Sequence, residues 1–355
     1  MSRRSWQLCV GPVLTVVTLL SSMPSASAAH NPIAGTYYVA LGDSYTSGEG
    51  LPPFIASAGS CDQSPFSFPE VVKKALKFTK FTFVACSGAT IAQVDQQVGR
   101  VPPSIFKRTS LATVTAGGND LPFSGLLSAC LGASTSPQSP SFAYLTGFNS
   151  QASCDAAIAS AAALLGTSYD PTTRIMSAPS SALASPLTLP STIELRLTAL
   201  YLHILHDEGA KKGARTGPKL IVVQYPSAPD NLGAGNCVVA ATTFNLPQYP
   251  VLNSFYPAYD NLGEGALSLM NTYLQDEIAA AIGSLRSRGY LGISLARTQN
   301  MSAPLDCQTG LSTDMNGLLF VNTATQTTKG SFHPTASGQN KAGAAVVATW
   351  RRLPH

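Results

Sequence analysis

The chain has 355 residues, of which 45% are hydrophobic and only 11% charged, and its formal net charge is +4. That supply of apolar side chains is ample for a buried core and excludes an intrinsically disordered chain. The small positive balance gives no ground for a nucleic-acid partner, and the length allows one large domain or two ordinary ones. In chain order, Arg3 and Arg4 form a basic start, residues 8–20 a mostly apolar run, and residues 25–29 a small-residue stretch suited to cleavage. A membrane span needs about 20 apolar residues. Residues 1–28 are therefore read as a cleaved signal peptide and the mature protein as secreted. No later stretch is apolar for long enough to span a bilayer.

Tyr37 to Leu41 reads as a buried strand that stops at Gly42. A helix is predicted over 66–80, and strands over 81–85, 111–116, 220–223 and 291–295. Ser191 and Glu194 fit a capping box, after which Ile193, Leu197, Leu200 and Ile204 recur on one helical face. Leu267, Leu274, Ile278 and Leu285 mark a later helix. Pro334 is expected in the first turn of a last helix, continued by residues 344–350. Strands alternating with helices imply a parallel sheet covered on both faces, hence one α/β/α domain. Insertions are expected near 131–190, with a short helix over 155–165, and near 225–259, both rich in loop-forming residues.

Six cysteines follow the signal: Cys61, Cys86, Cys130, Cys154, Cys237 and Cys307. An even number in an exported chain favours disulfides. There is no Cys-x-x-Cys pair and no Cys/His cluster at zinc spacing, so no metal is expected. His203 and His206, three residues apart on a predicted helix, read as a solvated or packed pair.

Four segments place polar side chains just after a strand or just before a helix. They are Gly42-Asp43-Ser44, Cys86-Ser87-Gly88, Gly117-Gly118-Asn119-Asp120 and Ser331-Phe332-His333-Pro334. In a parallel sheet the strand C-termini line one edge, where ligands bind. A serine hydroxyl becomes a nucleophile when a neighbouring base takes its proton, and histidine titrates in the right range. The oxyanion of acyl transfer needs fixed donors. The backbone N–H groups of Ser44 and Gly88 and the side-chain amide of Asn119 suit that task. Asp43 reads as a structural hydrogen-bonding residue. Phe54, Phe66 and Phe68 fit an acyl pocket or the core, and Lys73, Lys74, Lys77 and Lys80 a solvated helix face with a weak link to anionic lipid.

These four blocks, in this order, resemble the GDSL/SGNH hydrolase family, and in particular its secreted actinobacterial lipases and esterases. Gly42-Asp43-Ser44 resembles the first block, Gly88 the glycine of the second, Asn119 the asparagine of the third and His333 the histidine of the last. The resemblance implies a three-layer, flavodoxin-like α/β/α sandwich over 35–355 and a serine ester hydrolase working without a cofactor. It also implies disulfides joining Cys61 to Cys86, Cys130 to Cys154 and Cys237 to Cys307. The family's last block usually carries an Asp three residues before the His; here that residue is Gly330. The imidazole is then expected to lean on a main-chain carbonyl such as that of Gly330, or on a carboxylate from Asp306 or Asp314. The expected substrate is a small ester or lipid, met by a monomer in transient contact with a lipid surface. Phospholipase and carbohydrate acetylesterase activities are the enzymatic alternatives. A secreted binding protein that kept the fold without turnover is the other class.

Overall fold

Strands without polar alternation need cover on both faces, and the chain meets that need with a parallel sheet between two helical layers. The computed structural model describes residues 37–130, 151–164, 168–173, 175–176, 192–226, 261–298, 301, 314–315 and 333–355. The first half holds β1 (Tyr37–Leu41), α1 (Ser44–Ser47), α2 (Phe68–Ala75), β2 (Lys80–Phe83), α3 (Ile91–Arg100), α4 (Pro103–Phe106) and β3 (Thr109–Val114). α5 (Phe123–Cys130) and α6 (Gln151–Leu164) follow, then a two-stranded antiparallel ribbon of β4 (Tyr169–Asp170) and β5 (Ile175–Met176). α7 (Thr192–Asp207), β6 (Lys219–Val223), α8 (Asn261–Ser287), β7 (Ile293–Ala296) and α9 (Ala336–Arg352) come last.

The main sheet has the order β2-β1-β3-β6-β7, with every neighbouring pair parallel. Counted along the chain this is the flavodoxin-like order, which reverses between β1 and β3. Ligands bind beyond the strand C-termini at such a reversal, so the ends of β1 and β3 mark the place for chemistry.

Side chains alternate across the sheet with period two. Val39 and Leu41, Ala112 and Val114, and Leu220 and Val222 pack with residues of α3, α7 and α8. Tyr38 and Ala40, Leu111, and Ile221 and Val223 cluster on the other face with Phe68 and Val72 of α2 and Val346 and Trp350 of α9. Burying one such large side chain is worth about 1.5–3 kcal/mol. Isolated helices as short as α2 are marginal in water, so this packing is what holds them.

The helix predicted over 66–80 is shorter. It ends at Ala75 because Lys77 adopts a left-handed conformation (φ 56°) and turns the chain toward β2. The four lysines therefore do not share one helix face: Lys73 pairs with Glu70 at 3.0 Å and lies over the Phe81 ring, while Lys80 opens β2. Pro334 stands outside the last helix rather than in its first turn. Thr335 is the N-cap, its hydroxyl accepting from the Gly338 N–H, and Pro334 forms a β-bridge with Met315. α3 was missed, although Thr90 and Gln93 form a capping box. α6 begins at Gln151, earlier than expected, and the Tyr169 hydroxyl donates to Asp155 Oδ1 at 2.6 Å, tying the ribbon to it. The proposed signal peptide, Ser191 and most of both expected insertions lie outside the described residues.

Candidate active site

The site begins with a backbone that only glycine tolerates. Gly42 follows β1 at φ 139°, and a Cβ there would meet Thr46 Oγ1 at 2.5 Å and Thr115 Oγ1 at 2.7 Å. Its two peptide groups are held by one buried amide: Gly42 N donates to Gln97 Oε1 at 2.9 Å, and Gln97 Nε2 donates to Gly42 O at 2.8 Å. Gln97 lies on α3, so that helix sets the exit angle of β1. Asp43 then caps α1, its Oδ1 accepting from Tyr45 N at 3.0 Å.

Ser44 is the first residue of α1 and is 7% exposed. His333, 289 residues away, brings Nε2 to 2.8 Å from Ser44 Oγ. When the hydroxyl donates to Nε2, a neutral imidazole carries its proton on Nδ1. Tyr45 packs against the imidazole with ring centroids 5.1 Å apart, and against Tyr225 edge-on at 5.0 Å. α9 anchors the histidine segment through Gln339, whose Oε1 accepts from Phe68 N at 2.7 Å and whose Nε2 donates to Tyr45 O at 3.1 Å. Of the expected partners for the imidazole, Gly330 and Asp306 lie outside the described residues. Asp314 O accepts from Thr335 N at 2.8 Å; its carboxylate accepts from Ser337 Oγ at 2.8 Å and pairs with Lys341 at 2.6 Å.

Asp43 is nearly inaccessible, and its carboxylate takes three donors. Tyr45 N and the Thr115 hydroxyl, at 2.7 Å, reach Oδ1, and the Tyr225 hydroxyl reaches Oδ2. Because Thr115 spends its one hydrogen on the carboxylate, Thr46 must donate to Thr115, 2.7 Å away. Burial pushes the Asp43 carboxyl up from its ordinary range, and the three donors hold it back. The Tyr225 hydroxyl also accepts from Gly118 N at 3.1 Å. Burial and the facing Asp43 carboxylate raise this phenol well above its usual value.

The other two loops meet beside it. Gly88 has φ 77°, a left-handed conformation with open space where a Cβ would stand. Its loop is clamped by the Cys61–Cys86 disulfide, by Cys86 N donating to Gly42 O at 3.0 Å, and by Ser87 N donating to Cys61 O at 3.1 Å. Asn119 Nδ2 donates to Ala89 O at 3.0 Å and so joins the third loop to the second. Next to it, Asp120 accepts from Ile91 N at 2.8 Å, at the start of α3, and pairs with Arg196 of α7. Negative charge is favoured at such a helix start.

Sequence reasoning missed Tyr225, Thr115, Gln97 and Gln339. The first two follow β6 and β3 within two residues, and that position is itself a signal. The two glutamines sit on helices and carry no local mark. Phe68 is core, Phe54 is half-buried and Phe66 is 51% exposed. His203 pairs with Asp95 at 2.7 Å and His206 with Asp207 at 3.4 Å. Cys154 is disulfide-bonded as well. The Cys130 side chain, Cys237 and Cys307 lie outside the described residues, so of the three expected disulfides Cys61–Cys86 alone is seen whole.

Fold and site define an α/β/α sandwich with a serine–histidine pair at its topological reversal. Residues 40–200 match the model of the GDSL-like Lipase/Acylhydrolase family, a stretch that holds Ser44, Gly88 and Asn119. A lipase of Streptomyces rimosus is 34% identical over 129 residues, 36% of this chain and 47% of that protein. Lipase 1 of Streptomyces coelicolor is 37% identical over 119 residues, 34% of this chain and 43% of that protein. The chain thus spans less than half the length of each of these relatives. Two crystal structures share the fold. Phospholipase A1 from Streptomyces albidoflavus NA297 has a TM-score of 0.56 and 22% identity, over 89% of this chain and 99% of that one. The extracellular lipase from Streptomyces rimosus has a TM-score of 0.54 and 24% identity over the same shares.

Proposed function

We propose that the protein is a secreted serine carboxylic ester hydrolase of lipase or esterase type. The observation that carries the reading is the 2.8 Å approach of His333 Nε2 to Ser44 Oγ. That distance lies within the reach a general base needs. The similarity of residues 40–200 to GDSL-like lipases and acylhydrolases supports it, and the basic, apolar and small-residue order of the N-terminus supports export.

Ser44 Oγ attacks the ester carbonyl carbon while Nε2 of His333 takes the hydroxyl proton. The tetrahedral oxyanion is met by the N–H groups of Ser44 and Gly88 and by the Asn119 amide, whose second hydrogen is not used by Ala89. Collapse expels the alcohol, which receives the proton from His333, and leaves an acyl-serine. Water then attacks that ester with His333 again as base, releasing the acid and restoring the serine. The proposed machinery is a dyad, with a peptide oxygen holding Nδ1–H, because Gly330 stands where the family's last block carries its Asp.

The test is hydrolysis of p-nitrophenyl esters from acetate to palmitate, beside phosphatidylcholine and acetylated xylan. Ester turnover in the wild type, lost about 10⁴-fold or more in Ser44→Ala and His333→Ala, is the expected result. Cleavage of phosphatidylcholine alone would make the protein a phospholipase, and release of acetate from xylan alone an acetylesterase. No turnover on any substrate would leave the binding-protein class.

A further inference from the structure

Resting on that hydrolase reading, we infer that Tyr225 is a positioning residue that locks the nucleophile loop and the oxyanion loop into one register. Its hydroxyl is the shared atom. It donates to Asp43 Oδ2, one residue before Ser44, and accepts from Gly118 N, one residue before Asn119. Segments that follow three strands meet at this oxygen: Asp43 after β1, Gly118 after β3, and Tyr225 itself after β6.

The ring adds shape to the link. A Cβ on residue 118 would stand 3.2 Å from the Tyr225 ring, so the loop lies flat against the phenol. Tyr45 meets the same ring edge-on and carries the imidazole of His333 on its other contact. Asp43 is buried, so its carboxylate is oriented by protein donors alone. Of the three, Tyr225 is the one that also accepts from Gly118 N. Thr115, just past β3, and Tyr45, in α1, hold the other carboxylate oxygen of Asp43.

Tyr225→Phe removes this one oxygen and keeps both ring contacts. The expected outcome is a kcat about 10- to 100-fold lower, the scale of a misplaced catalytic group. KM stays near the wild-type value, as it does when an interaction matters only in the transition state. Amide exchange supplies a readout independent of turnover. Gly118 exchanges slowly in the wild type and about tenfold faster in Tyr225→Phe, the equivalent of one net hydrogen bond. Thr115→Val is the control: it takes a donor from the same carboxylate and leaves Gly118 exchange as in the wild type. Unprotected Gly118 in the wild type, unchanged exchange in Tyr225→Phe, or equal acceleration in Thr115→Val would each overturn the inference. Unchanged kcat beside accelerated exchange would overturn it too. If the wild type turns over no ester, the hydrolase reading fails, and Gly118 exchange alone decides whether Tyr225 holds the loop.

Discussion

Two side chains with amide or carboxyl groups show what burial does at single positions. Asn119 is exposed, and one hydrogen of its amide goes to Ala89 O while the other faces no protein acceptor among the described residues. If it donates to an oxyanion, Asn119→Ala lowers kcat about 10²- to 10³-fold while costing only about 0.5–1.5 kcal/mol of stability, the net worth of its bond to Ala89 O; steady-state kinetics beside calorimetry checks both. Glu208 is the opposite case. It is 3% exposed, its carboxylate oxygens find no hydrogen-bond partner among the described residues, and burial pushes its carboxyl up to about 8, with Lys219 pulling it back. The folded protein therefore keeps a proton that the unfolded chain releases near the ordinary glutamate value of about 4.3. Stability from this group is complete below that value and is lost as pH rises through the folded one. Glu208→Gln should flatten the fall in the urea midpoint between about pH 5 and pH 8. An unchanged slope would show that other groups dominate.

A few buried amides add direction to the apolar packing that joins the elements. Gln339 of α9 accepts from Phe68 N at the start of α2 and donates to Tyr45 O of α1, so one side chain aligns the histidine helix with the serine helix. Gln339→Ala orphans a buried N–H and should cost about 1–3 kcal/mol in chemical denaturation. α7 gives a sharper contrast between neighbouring positions. Leu197 is fully buried against the sheet, whereas Leu195 is 52% exposed. Leu197→Ala should cost about 2–5 kcal/mol, and Leu195→Ala no more than about 0.5 kcal/mol. The apolar spacing of α7 was readable beforehand, as were all five strands of the sheet. The end of α2 and the start of α9 were not, because Lys77 leaves the helix by a left-handed turn and Pro334 is drawn into a bridge with Met315. The bridge joins residues distant in sequence. The Lys77 turn is closed locally, Phe78 N donating to Lys73 O at 3.0 Å, but by a lysine where a glycine would have signalled it.

For the molecule as a whole, the sheet order decides where the chemistry falls. The reversal between β1 and β3 places Ser44, just after β1, and Asn119, in the loop after β3, beyond adjacent strand ends. The Cys61–Cys86 disulfide joins residues 25 apart along the chain, one before β2 and one after it. Replacing both cysteines by serine should lower stability by about 3 kcal/mol through the freed loop. Because the same bond clamps the Gly88 loop, kcat should fall in the folded variant as well. A variant that loses stability while keeping full kcat would separate the clamp from the oxyanion loop.

Composition, the apolar runs and the order of the four polar segments were enough to specify a parallel α/β/α protein and to single out Ser44, Gly88, Asn119 and His333. Such information is local, written in residue type and spacing. The tertiary structure alone decided that Tyr225 bridges two loops, that Gln97 and Gln339 orient the strand exit and the last helix, and that Asp314 meets Ser337 and Lys341. Those partners are far apart along the chain. Their hydrogen bonds exist because folding buries groups that water would otherwise satisfy, and each must then find whatever donor or acceptor the topology brings within reach.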